Sequence, residues 1–186
     1  MNRSEQDDEL IESAIRGERR AFELLFNRHH GLVYTLALKL TGNNKELSEE
    51  ITQDSFLKAF HHLTTFKRES AFSTWLYKIA VSTAMSAMRK KKKSLPLEYR
   101  QDTGEEGSDQ QDWEDTDYDK KLNANELNAA IRQLSPSDNL MITLFYLHEQ
   151  SIENISQILG KDKNFVKVNL FRARQRLKKI LLKRST

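Results

Sequence analysis

The chain has 186 residues, of which 38% are hydrophobic and 31% charged, enough apolar material for one or two modest helical cores. It contains no cysteine, which excludes disulfides and thiolate metal sites. Its longest apolar run, Leu140 to Leu147, is eight residues long and too short to span a membrane. The opening MNRSEQDDEL is acidic and lacks the apolar core of a secretion signal, so we predict a cytoplasmic protein without membrane insertion.

The net charge of +3 is divided unevenly along the chain. Residues 1–93 hold 16 Lys and Arg against 12 Asp and Glu, whereas residues 126–186 hold 11 against 5. Between them, residues 94–125 hold 3 against 10. Two basic segments therefore flank an acidic one, and the basic segments are candidates for binding nucleic acid.

The first 93 residues are predicted to form a four-helix lobe, because apolar residues recur at helical spacing between glycine and polar breaks. The predicted helices cover residues 8–16, 18–41, 45–63 and 72 onward, with Gly17 and Gly42 ending the first two. The stretch TTFKRES, residues 64–70, interrupts the pattern.

The last of these helices runs into five consecutive cations, Arg89 to Lys93. One or two cations at a helix C-terminus are explained by the helix dipole. Five in a row exceed that need and indicate a polyanionic partner such as a nucleic-acid backbone.

Residues 94–122 contain Pro96, Gly104 and Gly107 and show no sustained apolar period. Low hydrophobicity combined with like charge does not offset the entropy cost of folding, so we predict a flexible acidic linker.

The C-terminal part carries sharp helix boundaries. Residues 123–134 form one predicted helix, and Ser135-Pro136 begins a second that runs to about His148. A short helix after Ser151 is closed by Gly160, and Asp162 caps a long final helix. The order of short helix, glycine turn and long helix is typical of a helix-turn-helix.

Cations and polar groups follow the final helix away from its predicted core side, which is formed by Val166, Leu170, Ala173 and Leu177. Its first turns would present side chains to base edges, and the remaining cations would pair with phosphates. The alternative is an ordinary solvated face. The residues on or near this surface are Lys163, Asn164, Lys167, Phe171, Arg172, Arg174, Arg176 and Lys178.

No pattern for catalysis is found. The paired histidines at 29–30 and 61–62 point about 100° apart on a helix and are poorly placed to share a metal ion. Neither a glycine-rich phosphate loop nor a His-Glu-x-x-His zinc sequence occurs. We therefore predict no enzymatic activity, no cofactor and no metal site.

Three segments in order resemble the extracytoplasmic-function (ECF) sigma factors of bacterial RNA polymerase, from about Leu10 to Lys179. They are AIRGERRAFELLFNRHHGLVYTLALKLTGN, EEITQDSFLKAFHHLTTFKRESAFSTWLYKIA and SIENISQILGKDKNFVKVNLFRARQRLKK. The resemblance implies an all-α fold with an N-terminal domain at 1–93 and a C-terminal domain at 123–186, joined by the linker at 94–122. It also implies a protein that binds core RNA polymerase and directs promoter-specific transcription initiation.

By the same resemblance, one helix face docks on the polymerase core, at the β′ clamp helices and the β subunit. The matching residues are Glu46, Glu50, Gln53, Asp54 and Phe56. The loop before the fourth helix, with that helix, would capture a flipped base of the minus-10 element and hold its strand. The candidates are Lys67, Arg68, Ser70, Ser73, Trp75, Lys78, Arg89, Lys90 and Lys91, with Trp75 expected mainly in the core.

The helix-turn-helix would read the minus-35 element, where this chain departs from the family. A Gly-Thr-Val-Lys-Ser-Arg run is usual, but residues 164–169 read Asn-Phe-Val-Lys-Val-Asn. Phe165 or Val168 would either contact a thymine methyl or pack internally. The minus-35 candidates are Lys163, Asn164, Lys167, Phe171, Arg172, Arg174 and Lys178.

Two other functions stay open on sequence alone. A stand-alone helix-turn-helix regulator would explain residues 126–186 but not the block at 49–80, and a protein-binding adaptor would not need basic lobes. No sensor segment is evident, so control by a separate anti-sigma factor is expected. The acidic linker would be a spacer, an RNA mimic in the polymerase cleft, or a strap that holds the two basic lobes together.

Overall fold

The computed structural model describes residues 3–94 and 124–184. Within those ranges the protein is helical, with no strand, which confirms the all-α prediction. The helices are α1 (Arg3–Ile15), α2 (Arg19–Leu40), α3 (Lys45–His62), α4 (Phe72–Ser94), α5 (Ala124–Ile131), α6 (Pro136–Ile142), α7 (Ile152–Leu159) and α8 (Lys163–Arg184). Short 3-10 and π turns follow α3 and α6 at Leu63–Thr65 and Thr143–Leu147. The predicted linker lies outside the described residues, apart from Ser94.

The N-terminal lobe (residues 3–94) packs α1 to α4 around fully buried aliphatic side chains, among them Leu25, Leu36, Ile51 and Leu76. The turn between α2 and α3 uses Gly42 at φ 66°, as its position after the apolar period predicts. Asn44 then caps α3, its side chain accepting a hydrogen bond from the backbone N–H of Leu47 at 3.0 Å.

Helix α1 begins at Arg3, earlier than the predicted Asp8, and an ion pair holds its second turn against α2. Asp7 is buried, and its carboxylate accepts hydrogen bonds from Arg28 at 2.6 Å and from the His29 ring at 2.9 Å. A buried carboxylate with two charged or polar partners anchors α1 on α2.

The C-terminal lobe (residues 124–184) follows the predicted caps. Ser135 accepts from the N–H of Asp138 and Ser151 from that of Asn154, while Gly160 takes a left-handed φ of 62° after α7. One boundary was predicted wrongly, because helix α5 ends at Ile131 instead of Leu134. The helix predicted to run to about His148 does so, but its last five residues, Thr143–Leu147, form a π turn. In that turn the N–H of His148 donates to the carbonyl of Thr143, five residues earlier, which widens the last turn.

The two lobes dock on each other, and their buried apolar residues form one continuous core. Helix α7 packs against α4, and α6 packs against α2. The end of α2 contributes polar contacts: the Lys39 ammonium donates to Asn128 at 2.6 Å, and the Asn139 amide donates to the Lys39 carbonyl at 3.3 Å. The docking thus satisfies a carbonyl at the C-terminal end of α2.

Candidate polymerase and nucleic-acid interfaces

Helix α3 presents an acidic stripe to solvent. Its inner side is buried through Ile51, Ser55 and Phe56. Because residues three and four apart share a helix face, the outer side collects the exposed residues Glu46, Glu50, Gln53 and Asp54. The structure therefore brings four of the five predicted polymerase-binding side chains onto one accessible face.

The fifth, Phe56, lies on the opposite side of α3 and is 3% exposed. Its ring packs edge-on against Phe26, with centroids 4.7 Å apart. Its side chain belongs to the core of the lobe and is not offered to a partner in this arrangement.

An apolar group that was not predicted from the sequence lies beside the acidic stripe. Leu57 is 58% exposed and Phe60 50% exposed, and Leu24 of α2 is 47% exposed. Leu57 follows Glu50 and Asp54 at helical spacing, so it extends the same stripe. Leu57 lies three residues after Asp54 and does not share the helix face of the buried residues Ile51 and Ser55. This spacing in the sequence predicts that it is exposed.

A cavity of about 320 Å³ lies where the loop before α4 meets that helix. It is lined by Thr65, Phe66, Lys67, Glu69, Ser70, Thr74, Trp75, Lys78 and Gln157. A second cavity of about 360 Å³ adjoins it and shares Thr65, Trp75 and Lys78. Both therefore combine an aromatic ring with hydroxyl groups and a cation.

Trp75 is half-buried, in keeping with its predicted place mainly in the core. Its ring packs on Phe66 and Phe72, at centroid distances of 5.2 and 5.7 Å, and its remaining surface borders both cavities. The tryptophan is thus held by the core while part of the indole stays accessible.

The other predicted minus-10 residues are spread more widely. Lys67, Ser70 and Lys78 line the first cavity, whereas Ser73 is half-buried outside it. Arg68 has a left-handed φ of 58° and donates to Glu12 of α1 at 3.0 Å, which directs its guanidinium away from the cavity.

The cations at the end of α4 lie farther along the helix. Arg89 and Lys90 are exposed, roughly 16 Å beyond Lys78 at 1.5 Å per residue. The side chain of Lys91 is outside the described residues. The structure therefore does not bring these cations together with the cavity.

Gln157 completes one wall of the first cavity from the other lobe. It lies on α7, which docks against α4. Local sequence offers no signal for this role, because it depends on how the lobes meet.

In the C-terminal lobe, α7 and α8 form the predicted helix-turn-helix. Asp162 caps α8, its carboxylate accepting from the backbone N–H of Phe165 at 2.7 Å. Val166, Leu170 and Ala173 are fully or almost fully buried and fix the rotation of α8 about its axis. The first turn therefore carries Lys163, Asn164 and Lys167 at the surface.

The predicted minus-35 residues divide into two groups. Lys163 is exposed and pairs with Glu153 of α7 at 2.8 Å, and Asn164 and Lys167 are also exposed. Phe171, Arg172 and Lys178 are half-buried.

Arg174 is held against the π turn. Its guanidinium lies 5.3 Å from the ring centroid of Phe145 and 5.4 Å from that of Tyr146. Cation–π contacts of this kind commit the side chain to the lobe itself.

The contact between the lobes contains two groups whose pKa is shifted far from its ordinary value. Tyr77 of α4 and His148 lie within hydrogen-bond distance, 2.8 Å from the tyrosine oxygen to Nδ1. Burial raises the pKa of Tyr77 to about 12, while burial and then the nearby Lys39 charge lower the pKa of His148 to about 4. Both groups are neutral at pH 7, and they share one hydrogen bond whose donor depends on the tautomer of His148.

Among the residues that the structure describes, no cluster of His, Asp or Glu is suited to hold a metal ion. No helix in the described ranges is both long and apolar enough to cross a membrane.

Comparison with known protein families divides the chain in the same way as its charge. Residues 25–94 match Sigma-70 region 2, and residues 124–177 match Sigma-70 region 4. The chain is 31% identical to the ECF RNA polymerase sigma-E factor of Haemophilus influenzae, over 91% of this chain and 92% of that protein. It is 30% identical to the ECF sigma factor SigW of Bacillus subtilis, over 92% of this chain and 94% of that protein.

Several solved structures share the fold, including two that are complexes. The sigma factor RpoE from Bartonella quintana, in complex with the anti-sigma factor NepR, aligns with a TM-score of 0.64, covering 86% of this chain and 96% of that one. CnrH in complex with the cytosolic domain of CnrY aligns with a TM-score of 0.66, covering 95% of this chain and 97% of that one. Sequence identity is 22% in both cases, so the likeness is one of fold.

Proposed function

This chain belongs to the ECF subfamily of RNA polymerase sigma factors and directs transcription initiation, and we propose that its two lobes divide that task. Residues 1–93 would bind core polymerase and recognise the minus-10 element, residues 94–122 would link the lobes, and residues 123–186 would recognise the minus-35 element. We expect no catalytic activity of its own and a cytoplasmic site of action.

Core polymerase binds the acidic stripe of α3, with the β′ clamp helices as the partner surface. The observation that supports this assignment is the exposure of Glu46, Glu50, Gln53 and Asp54 on one face, continued by the apolar Leu57. A charged stripe that ends in an accessible apolar side chain has the mixed composition of a protein-binding surface. Phe56 contributes by holding α3 in place.

A flipped base of the minus-10 element binds in the cavity before α4. A flipped base needs an aromatic surface to stack on and polar groups to meet its edge. Trp75 and Phe66 provide the aromatic surface, Thr65 and Ser70 the hydroxyl groups, and Lys78 a cation for the adjacent phosphate. The exposed Arg89 and Lys90 would hold the backbone further along the strand.

The minus-35 element binds along the first turns of α8. Helix-turn-helix proteins insert the N-terminal part of this helix into the major groove. Lys163, Asn164 and Lys167 are the accessible side chains there. Arg174 instead stabilises the lobe through its contacts with Phe145 and Tyr146.

An anti-sigma factor is the proposed regulator. Two of the solved structures that share this fold are complexes, a sigma factor with an anti-sigma factor and CnrH with the cytosolic domain of CnrY. A partner of the first kind would explain control of a chain in which no sensor segment is evident.

Polymerase binding is tested by co-elution of the purified chain with core RNA polymerase in gel filtration. Asp54→Arg places a cation in the acidic stripe, and we expect association to fall at least tenfold. The matched control is Glu9→Arg, which makes the same charge change at an exposed site on α1 and should co-elute like the wild type. Equal association of all three proteins would overturn the assignment to α3.

A further inference from the structure

Helix α8 carries an exposed phenylalanine, Phe165, in its first turn. The side chain is 39% exposed, although its neighbour Val166 is completely buried. At about 100° per residue, Phe165 lies on the flank of the buried side and Val168 lies on the side opposite Val166. An exposed apolar ring and a half-buried valine thus lie on the N-terminal part of the helix that a helix-turn-helix gives to DNA.

The backbone of Phe165 is fixed by two side chains, and its ring has a cationic neighbour. The backbone N–H of Phe165 donates to the Asp162 cap, and the Asn169 amide donates to the Phe165 carbonyl at 2.9 Å. The Lys161 ammonium lies 5.5 Å from the centroid of the ring. This cation–π contact keeps a positive charge directly beside an apolar surface.

A single exposed phenylalanine is ordinary on a protein surface. Phe165 differs in its surroundings, because four exposed polar or cationic residues lie near it in sequence, Lys161, Lys163, Asn164 and Lys167, and they outweigh the single carboxylate of its Asp162 cap. Such a rim is complementary to phosphate, and an apolar centre within it needs an apolar feature on the nucleic acid. In the major groove that feature is the C5-methyl group of thymine.

We propose that Phe165 contacts the 5-methyl group of a thymine in the minus-35 element, while Lys161 binds a neighbouring phosphate. The inference rests on the proposed function of the C-terminal lobe as the minus-35 reader. Phe165 would then be a specificity-determining residue that favours thymine over cytosine at one position.

The test uses holoenzyme reconstituted from the full chain and core RNA polymerase. A preferred minus-35 sequence is first selected by wild-type holoenzyme from a library randomised at that element. Each thymine of the selected sequence is then replaced in turn by deoxyuridine, which removes only the methyl group.

For wild type we expect one replacement to weaken binding about fourfold, the value for one buried methyl group, with little effect at the other thymines. Phe165→Asn should bind the selected sequence more weakly and lose that sensitivity, so that thymine and deoxyuridine bind alike within about 1.5-fold. Phe165→Leu keeps an apolar side chain and should keep most of the sensitivity. Circular dichroism and thermal unfolding of each variant verify the fold.

The outcomes separate the inference from the function on which it rests. If wild-type holoenzyme selects no minus-35 sequence, the proposed role of the lobe fails, and the inference fails with it. If selection succeeds but Phe165→Asn shows the same deoxyuridine penalty as wild type, only the inference is overturned. Loss of core polymerase affinity in Phe165→Asn with an unchanged penalty would likewise overturn it, and would place Phe165 against the polymerase.

Discussion

Lowering the pH from 7 to 5 should destabilise the folded protein through one buried histidine, His148. Burial and the Lys39 charge lower the pKa of this side chain to about 4, against 6.5 in an unfolded chain. Between these two values the unfolded chain binds a proton that the folded protein does not. Stability from this group is therefore complete above pH 6.5 and is lost as the pH falls toward 4.

The magnitude follows from the same two pKa values. Between pH 7 and pH 5 the free energy of unfolding falls by about 2 kcal/mol at most. Solvent screening at the boundary between the lobes reduces this fall to about 1–2 kcal/mol. Geometry explains why protonation is costly. Protonation places a positive charge in a buried site, and the nearby Lys39 charge repels it.

The assay is urea unfolding at pH 7 and pH 5 for the wild type and for His148→Asn. Asparagine does not titrate, and its side-chain oxygen can accept from Tyr77 near the position of Nδ1. All other histidines and carboxylates are common to both proteins, so their contributions cancel in the comparison. We expect the wild type to lose about 1–2 kcal/mol more than the variant between the two pH values. An equal loss in both proteins would refute a neutral, buried His148.

Three further outcomes are expected. Trp75→Ala should weaken binding of holoenzyme to single-stranded minus-10 DNA by about 1–3 kcal/mol, the value of one stacked base, without changing core polymerase affinity; unchanged DNA binding would exclude the ring from the site. Gly160→Ala should destabilise the chain by about 1 kcal/mol in thermal or urea unfolding, because a φ of 62° strains the backbone although nothing lies within 4 Å of the added carbon; an unchanged free energy of unfolding would contradict that strain. Asp138→Asn should cost about 1–3 kcal/mol in urea unfolding, since the buried carboxylate accepts two hydrogen bonds from Arg176 at 3.0 and 2.9 Å; the double variant with Arg176→Gln should cost less than the sum of the single changes.

Helix boundaries could be predicted from the sequence where a local group determines them. Ser135, Asn44 and Asp162 accept hydrogen bonds from the first turns of their helices, and Gly42 and Gly160 take the left-handed conformation that ends one. Each signal involves residues within a few positions of each other. The π turn was not predicted, because a hydrogen bond between residues five apart does not change the apolar pattern of Thr143–Leu147.

The candidate sites were predictable in part. The exposed acidic stripe of α3 follows from spacing alone, and so does the accessibility of Lys163 and Lys167. Sequence could not separate these cations from Arg174, because its aromatic partners lie in another element, more than 25 residues earlier.

Docking of the lobes was also beyond prediction. It depends on pairs such as Tyr77 with His148 and Asn139 with Lys39, which are 71 and 100 residues apart. Two lobes of like net charge would be expected to repel each other. The contact limits this repulsion, because a shared apolar core forms much of it and the Lys39 cation there meets the neutral amide of Asn128.

Gln157 couples ligand binding in the cavity before α4 to docking of the two lobes, because it supplies a wall of that cavity from the opposite lobe. The cavity in its full form exists only while α7 stays on α4. A ligand that gains contact with Gln157 must therefore favour docked lobes, and one that displaces it must favour separated lobes. The two effects are equal in size. If docking of the lobes raises the affinity of a base for this cavity by some factor, binding of the base favours docking by the same factor.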